Sequence, residues 1–211
     1  MAAHVAILLP SAGQRALANL ARDAIAKFTT DVFHEVWLLD TAPDLAHGSD
    51  ANGRALDRLI RAAAGKHGDD VSHVFLMHDD ALPLRSGWLS YLLSKPGPIV
   101  GVKASERNGY AHGSGVLLDI TFALTHSMIP GLPHRDVAEF PPNWVAASYC
   151  HRPWMDTWPD RAAWWAPFSC DVSFDESGDR FYAHFGGGTL NDRPDRDAWI
   201  RAAREALGLG G

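Results

Sequence analysis

The chain has 211 residues, room for one sizeable core and little for two independent domains of about 100 to 200 residues each. With 46% hydrophobic residues, 21% charged residues and no apolar run near the roughly 20 residues of a membrane-spanning helix, a soluble protein without an integral membrane segment is expected. A net charge of −6 argues against a broad nucleic-acid-binding face, and two cysteines without C-x-x-C spacing, together with no secretory leader pattern, place the expected compartment in the cytoplasm.

Val5-Ala6-Ile7-Leu8-Leu9, closed by Pro10, is a continuous apolar run, the pattern of a parallel strand buried on both faces. After a Ser11-Ala12-Gly13 turn, Leu17, Leu20, Ala21, Ala24, Ile25 and Phe28 keep helical spacing and predict an amphipathic helix on the sheet. Glu35 to Leu39 reads as a second strand ending at Asp40, and Ala55, Leu56, Leu59, Ile60 and Ala63 mark a second helix. A third strand ends at Met77, Trp88 to Leu93 makes a short helix, and Pro98 to Val102 a fourth strand. This alternation predicts an α/β fold with a mostly parallel central sheet flanked by helices.

The stretch from Pro130 to Pro167 holds seven of the 13 prolines and five of the eight tryptophans, Trp144, Trp154, Trp158, Trp164 and Trp165. Proline at that density suppresses long regular elements, so an irregular Trp/Pro-rich lobe over the sheet is expected. The tryptophans serve as anchors of that lobe's core or, for one or two of them, as stacking surfaces for a sugar or base. Arg196 to Leu207, with Trp199, Ile200, Ala203 and Leu207 in a stripe and Gly208 as the cap, reads as a terminal helix with a packing role only.

In parallel α/β sheets, ligands sit at the C-terminal ends of the strands. Those ends carry Pro10-Ser11, Asp40 and His78-Asp79-Asp80, so three polar strand ends line one crevice. His78-Asp79-Asp80 joins an imidazole to two carboxylates, the donor types of a site for a divalent cation that holds a phosphate-bearing ligand; a solvated acidic turn has the same composition. Further on, three glycines in Phe181-Tyr182-Ala183-His184-Phe185-Gly186-Gly187-Gly188-Thr189 let the backbone pass close to a diphosphate, or else form a flexible loop.

The order of strand plus Pro10-Ser11, helix, strand plus Asp40, helix, then strand plus His78-x-Asp80 and Pro83 resembles the nucleotide-binding half of family 2-type glycosyltransferases with the A-type (GT-A) fold. The resemblance spans most of residues 4 to 190. It implies that Pro10, Ser11 and Gly13 line the nucleoside, that Asp40 contacts the base or ribose, and that Asp80, last residue of a D-x-D-like motif, binds the metal. His78 replaces the first aspartate of that motif, and Thr41-Ala42-Pro43 replaces the rest of the family's Asp-Asp-Gly-Ser. The aromatic-His-Gly-Gly-Gly-Thr segment implies His184 as a second metal ligand and Gly186 and Gly187 beside the diphosphate. His78 is a third ligand, a donor to phosphate or a packed strand-end histidine. Asp79 falls to the ribose or sugar hydroxyls, Gly113 and Ser114 to the floor of the sugar site, and Asp171 to the catalytic base, with Asp175 and Glu176 as fallbacks.

What the resemblance implies is a Mn²⁺- or Mg²⁺-dependent glycosyltransferase. It moves a sugar from a nucleoside-diphosphate sugar, a UDP-sugar in first place, to a hydroxyl acceptor with inversion. The acceptor is open among saccharide, small molecule, protein and modified nucleic-acid base. One GT-A-like domain of 1–211 then divides into a nucleotide-sugar half at about 1–105, an acceptor and catalytic half at about 106–195, and a terminal helix at 196–211. Two other readings stand beside it. Ser11-Ala12-Gly13-Gln14-Arg15-Ala16-Leu17 faintly resembles the loop of sugar-nucleotide nucleotidyltransferases, and the variant His78 suits a catalytically silent nucleotide-binding module.

Overall fold

The computed structural model describes residues 3–40, 48–67, 70–103, 111–125, 162–164, 181–185 and 194–210. At its centre, β1 (His4–Ser11) is buried along its whole length. It pairs in parallel with β2 (Phe33–Asp40) on one side and β3 (His73–Leu76) on the other. With strands on both sides and helices on both faces, β1 is buried on both faces, and this is why Val5 to Leu9 is an unbroken apolar run.

Beyond β3 the sheet continues through β6 (Ala111–Asp119), β5 (Ile99–Lys103) and β7 (Ala162–Trp164), giving the order β2-β1-β3-β6-β5-β7. The β1–β2, β1–β3 and β5–β7 pairs are parallel, while β6 runs antiparallel to both β3 and β5. The sheet is therefore mostly parallel, as expected, with one reversed strand inside it. That strand holds Gly113 and Ser114, which the sequence pattern had placed at the floor of the sugar site without marking a strand. Ala-His-Gly-Ser-Gly carries little strand propensity, and its place between two partners decides its conformation. Within the stretch from Pro130 to Pro167 only 162–164 belong to the described residues, and they form β7, so the expected Trp/Pro-rich lobe lies otherwise outside them.

Period-two alternation sends the side chains of the central strands into two core layers. Val5, Ile7, Leu9, Phe75 and Met77 face α1 (Arg15–Phe28) and α3 (Trp88–Leu93) through Leu17, Leu20, Ile25, Trp88 and Leu92. Ala6, Leu8, Val74, Leu76, Val116 and Leu118 face the other way, onto Leu56, Leu59, Ile60 and Ala63 of α2 (Gly48–His67). A short α4 (Ile120–Thr125) follows β6, and the Asp119 carboxylate accepts from the Phe122 N–H at 2.8 Å in its first turn.

The terminal helix α5 (Arg196–Ala206) matches its predicted span and places Trp199 and Ala203 in the first layer. Gly208 takes φ 58°, and the Gly208 and Leu209 N–H groups donate to the Glu205 and Arg204 carbonyls. That is the Schellman closure for which a glycine is favoured, since a Cβ is strained at positive φ.

The first layer is organised around Trp88, which is fully buried, meets Phe75 edge-on at 4.9 Å and donates from Nε1 to Thr29 Oγ1 at 2.9 Å. Trp88→Ala removes that volume and the donor to a buried hydroxyl together, and a loss of about 3 to 5 kcal/mol is expected in urea denaturation. A loss below about 1 kcal/mol would contradict this picture of the layer.

Candidate metal centre at the end of β3

Just past β3, the chain turns through His78-Asp79-Asp80 into β4 (Ala81–Pro83), which pairs antiparallel with β8 (Tyr182–His184) in a two-stranded sheet of its own. Ala81 stands opposite His184, and the Phe185 N–H donates to the Asp80 carbonyl at 2.7 Å. This ladder brings together residues a hundred positions apart in the chain.

His184 Nε2 lies 3.1 Å from Asp80 Oδ1, and His78 Nδ1 lies 4.0 Å from the same oxygen. The two imidazoles meet at 5.8 Å with an interplanar angle of 67°. One donor atom from each of the three residues lies within 4.8 Å of the others, the one such cluster among the described residues. A small divalent cation bonded at about 2.1 Å separates its neighbouring donors by about 3 Å and opposite ones by about 4 Å. Asp80 and His184 are buried, whereas the His78 side chain is 27% exposed and so has the most freedom to close on an ion. Two imidazoles and a carboxylate suit Mn²⁺ better than Mg²⁺, which prefers oxygen donors.

Burial lowers the pKa of His78 from its ordinary 6.5 to about 4; Asp80 opposes the shift and His184 adds to it. Its ring is consequently neutral at pH 7, the form that offers a lone pair to a cation. Tyr182, two residues before His184, is fully buried beside Trp88 and Phe75. Burial, reinforced by the charge of Asp80, pushes its phenol well above the usual tyrosine range and keeps it protonated. The motif around His184 includes Tyr182, but its burial against Trp88 and Phe75 comes from the tertiary fold.

The other candidates are distributed around this cluster. Pro10 and Ser11 are buried at the end of β1, with Ser11 paired to Asp40, which is exposed at the end of β2. Gly13 adopts φ 80° in the turn into α1. Asp79 is buried. Gly113 and Ser114 lie in β6, whose antiparallel course against β3 puts them at the His78 end of the sheet, and Ser114 is buried. Asp171, Asp175, Glu176, Gly186 and Gly187 lie outside the described residues.

No family model matches the chain, and no curated protein matches it in sequence. Solved structures do. A glycosyltransferase involved in the glycosylation of the major capsid of PBCV-1 superimposes with a TM-score of 0.64 at 14% identity, over 93% of this chain and 98% of its own. The galactosyltransferase LgtC, in complex with donor and acceptor sugar analogs, gives 0.53 at 12% identity over 97% and 95%. The fold is that of the A-type glycosyltransferases. A Drosophila β1,4-galactosyltransferase 7 mutant, in complex with manganese, UDP-Gal and xylobiose, also shares this GT-A architecture, with a TM-score of 0.50 at 11% identity over 94% of this chain and 79% of its own. At such identities the likeness is one of fold, and chemistry has to be argued from the residues.

A histidine titration by NMR on the metal-free protein tests the environment of His78. Its midpoint is expected near 4, well below the ordinary 6.5. Since the folded value lies below the unfolded one, the neutral ring's contribution to stability is complete above pH 6.5 and is lost as pH falls from 6.5 toward 4. A midpoint at or above 6.5 would mean that the ring is solvated rather than packed into the cluster.

Proposed function

We propose that the chain is a divalent-cation-dependent glycosyltransferase that transfers a sugar from a nucleoside-diphosphate sugar, UDP-linked in first place, to a hydroxyl acceptor with inversion. The observation that carries this reading is the convergence of His78, Asp80 and His184 at the C-terminal end of β3, beside the strand ends that carry Ser11 and Asp40. The GT-A fold and its manganese- and UDP-Gal-bound neighbour support it.

Asp80, His184 and His78 would hold the cation, with Mn²⁺ favoured by the two nitrogen donors. When bound, such an ion neutralises charge that grows on a departing diphosphate. The chain's own groups supply the rest. Ser11 and Asp40 offer a hydroxyl and a carboxylate to the ribose and base at adjoining strand ends, and Asp79 accepts from hydroxyls of the ribose or donor sugar. Asp80 and His184, buried within the protein, act in a low dielectric where charge complementarity is strongest. Asp171 is assigned to take the acceptor hydroxyl's proton as attack begins, on its position in the sequence pattern.

Asp80→Ala is expected to abolish Mn²⁺-dependent binding of UDP and UDP-sugars in calorimetry while the far-UV circular dichroism is retained. Equal nucleotide affinity in wild type and variant, with and without Mn²⁺, would sink the reading. Asp171→Asn is expected to keep donor binding and lose about 10²- to 10⁴-fold in transfer. Retained turnover would move the base elsewhere. Release of pyrophosphate from a nucleoside triphosphate and a sugar phosphate would instead mark a nucleotidyltransferase.

A further inference from the structure

Sequence pattern gave α5 a packing role, but its contacts lead directly to the candidate metal centre. The helix lies along α1 and is tied to it at both ends and between. Arg196 Nη1 donates to Gln14 Oε1 at 3.2 Å, the Arg204 guanidinium meets the Asp23 carboxylate at 2.9 Å, and Lys27 Nζ donates to the Leu207 and Gly208 carbonyls at 2.6 and 3.1 Å. Since α1 itself packs on β1 and on β4, the strand that follows Asp80 directly and pairs with β8, α5 is tied to the elements that flank the ligands.

On the inner face of α5, the buried Trp199 indole stacks on Phe185 with ring centres 4.6 Å apart and planes 19° from parallel. Phe185 directly follows His184. Its backbone N–H donates to the Asp80 carbonyl at 2.7 Å, so the residue is restrained at its main chain by one proposed ligand and at its ring by the helix. Phe185 is thus held at both its main chain and its ring, and the His184 imidazole next to it lies 3.1 Å from Asp80 Oδ1.

We infer that Trp199 is a positioning residue for the metal centre, holding His184 on target through Phe185. The inference rests on His184 being a metal ligand. Residues that orient metal ligands from outside the first coordination sphere typically change metal affinity by about 10- to 100-fold when altered. Leucine at 199 fills much of the space without a flat ring to stack, and phenylalanine restores the ring.

The test is Mn²⁺ titration of the full chain by electron paramagnetic resonance, with no nucleotide present. Trp199→Leu and Phe185→Leu are each expected to weaken Mn²⁺ binding by about tenfold. Trp199→Phe restores it, and Arg204→Ala, which cuts an exposed tie of the same helix, leaves it unchanged. His184→Ala separates the two levels of the argument. If it binds Mn²⁺ like wild type, the metal-centre reading fails; if it loses binding while Trp199→Leu and Phe185→Leu keep wild-type affinity, the positioning role alone fails. Should Trp199→Leu not fold, Phe185→Leu and Trp199→Phe decide by the same criteria. Affinity losses that merely follow loss of melting temperature across the set, Arg204→Ala included, would also overturn it.

Discussion

The site depends on a ladder three residue pairs long, Ala81–Pro83 against Tyr182–His184. Closing a free loop of about a hundred residues costs roughly 4 kcal/mol by the logarithmic loop-entropy law. Much of that is already met elsewhere, because β5, β6 and β7 bind the intervening chain into the main sheet and leave only the span from Trp164 to Tyr182 to close. The remainder is offset by burial. Tyr182, Leu82 and Ala81 are fully removed from water, and each large apolar side chain so buried contributes about 1.5 to 3 kcal/mol. The position of His184 is thus secured by packing in the first core layer rather than by its own polar contacts.

The same arrangement explains how Asp79 and Asp80 are tolerated inside the protein. A buried carboxylate is costly unless charge or hydrogen bonds compensate it. Beside Asp80 stand the His184 imidazole at 3.1 Å and, on the proposed reading, a cation. His78 and Tyr182 both stay uncharged at pH 7, held there chiefly by their burial. Such perturbed groups gathered at a strand end mark a functional site more often than a structural one.

Much of the architecture was legible in the chain itself. β1, α1, β2, α2, β3, α3 and α5 all stand where apolar periodicity puts them; all but the edge strand β2 are either buried on two faces or amphipathic at a regular period. β6 was not legible as a strand, since Gly113-Ser114-Gly115 says nothing locally about a place between β3 and β5. β4 escaped too: three residues ending in proline form a strand only because Tyr182 to His184 arrive to pair with them. For the site, a motif-level likeness nominated Asp80, His184 and His78, and the fold brings these three together. Tyr182 and Phe185 stood in the motif around His184, but what they and Trp199 touch is a property of tertiary contact. A helix stripe such as Trp199-Ala203 signals burial, and it does not disclose what lies on the other side.

The most direct test of the central claim is a crystal structure grown with Mn²⁺ and UDP, read by anomalous scattering at the manganese edge. One strong anomalous peak is expected within about 2.3 Å of donor atoms from Asp80 and His184, with His78 closing on it and the diphosphate completing the shell. A manganese peak away from these side chains, or a UDP diphosphate bound with Asp80 and His184 still paired to each other, would contradict it.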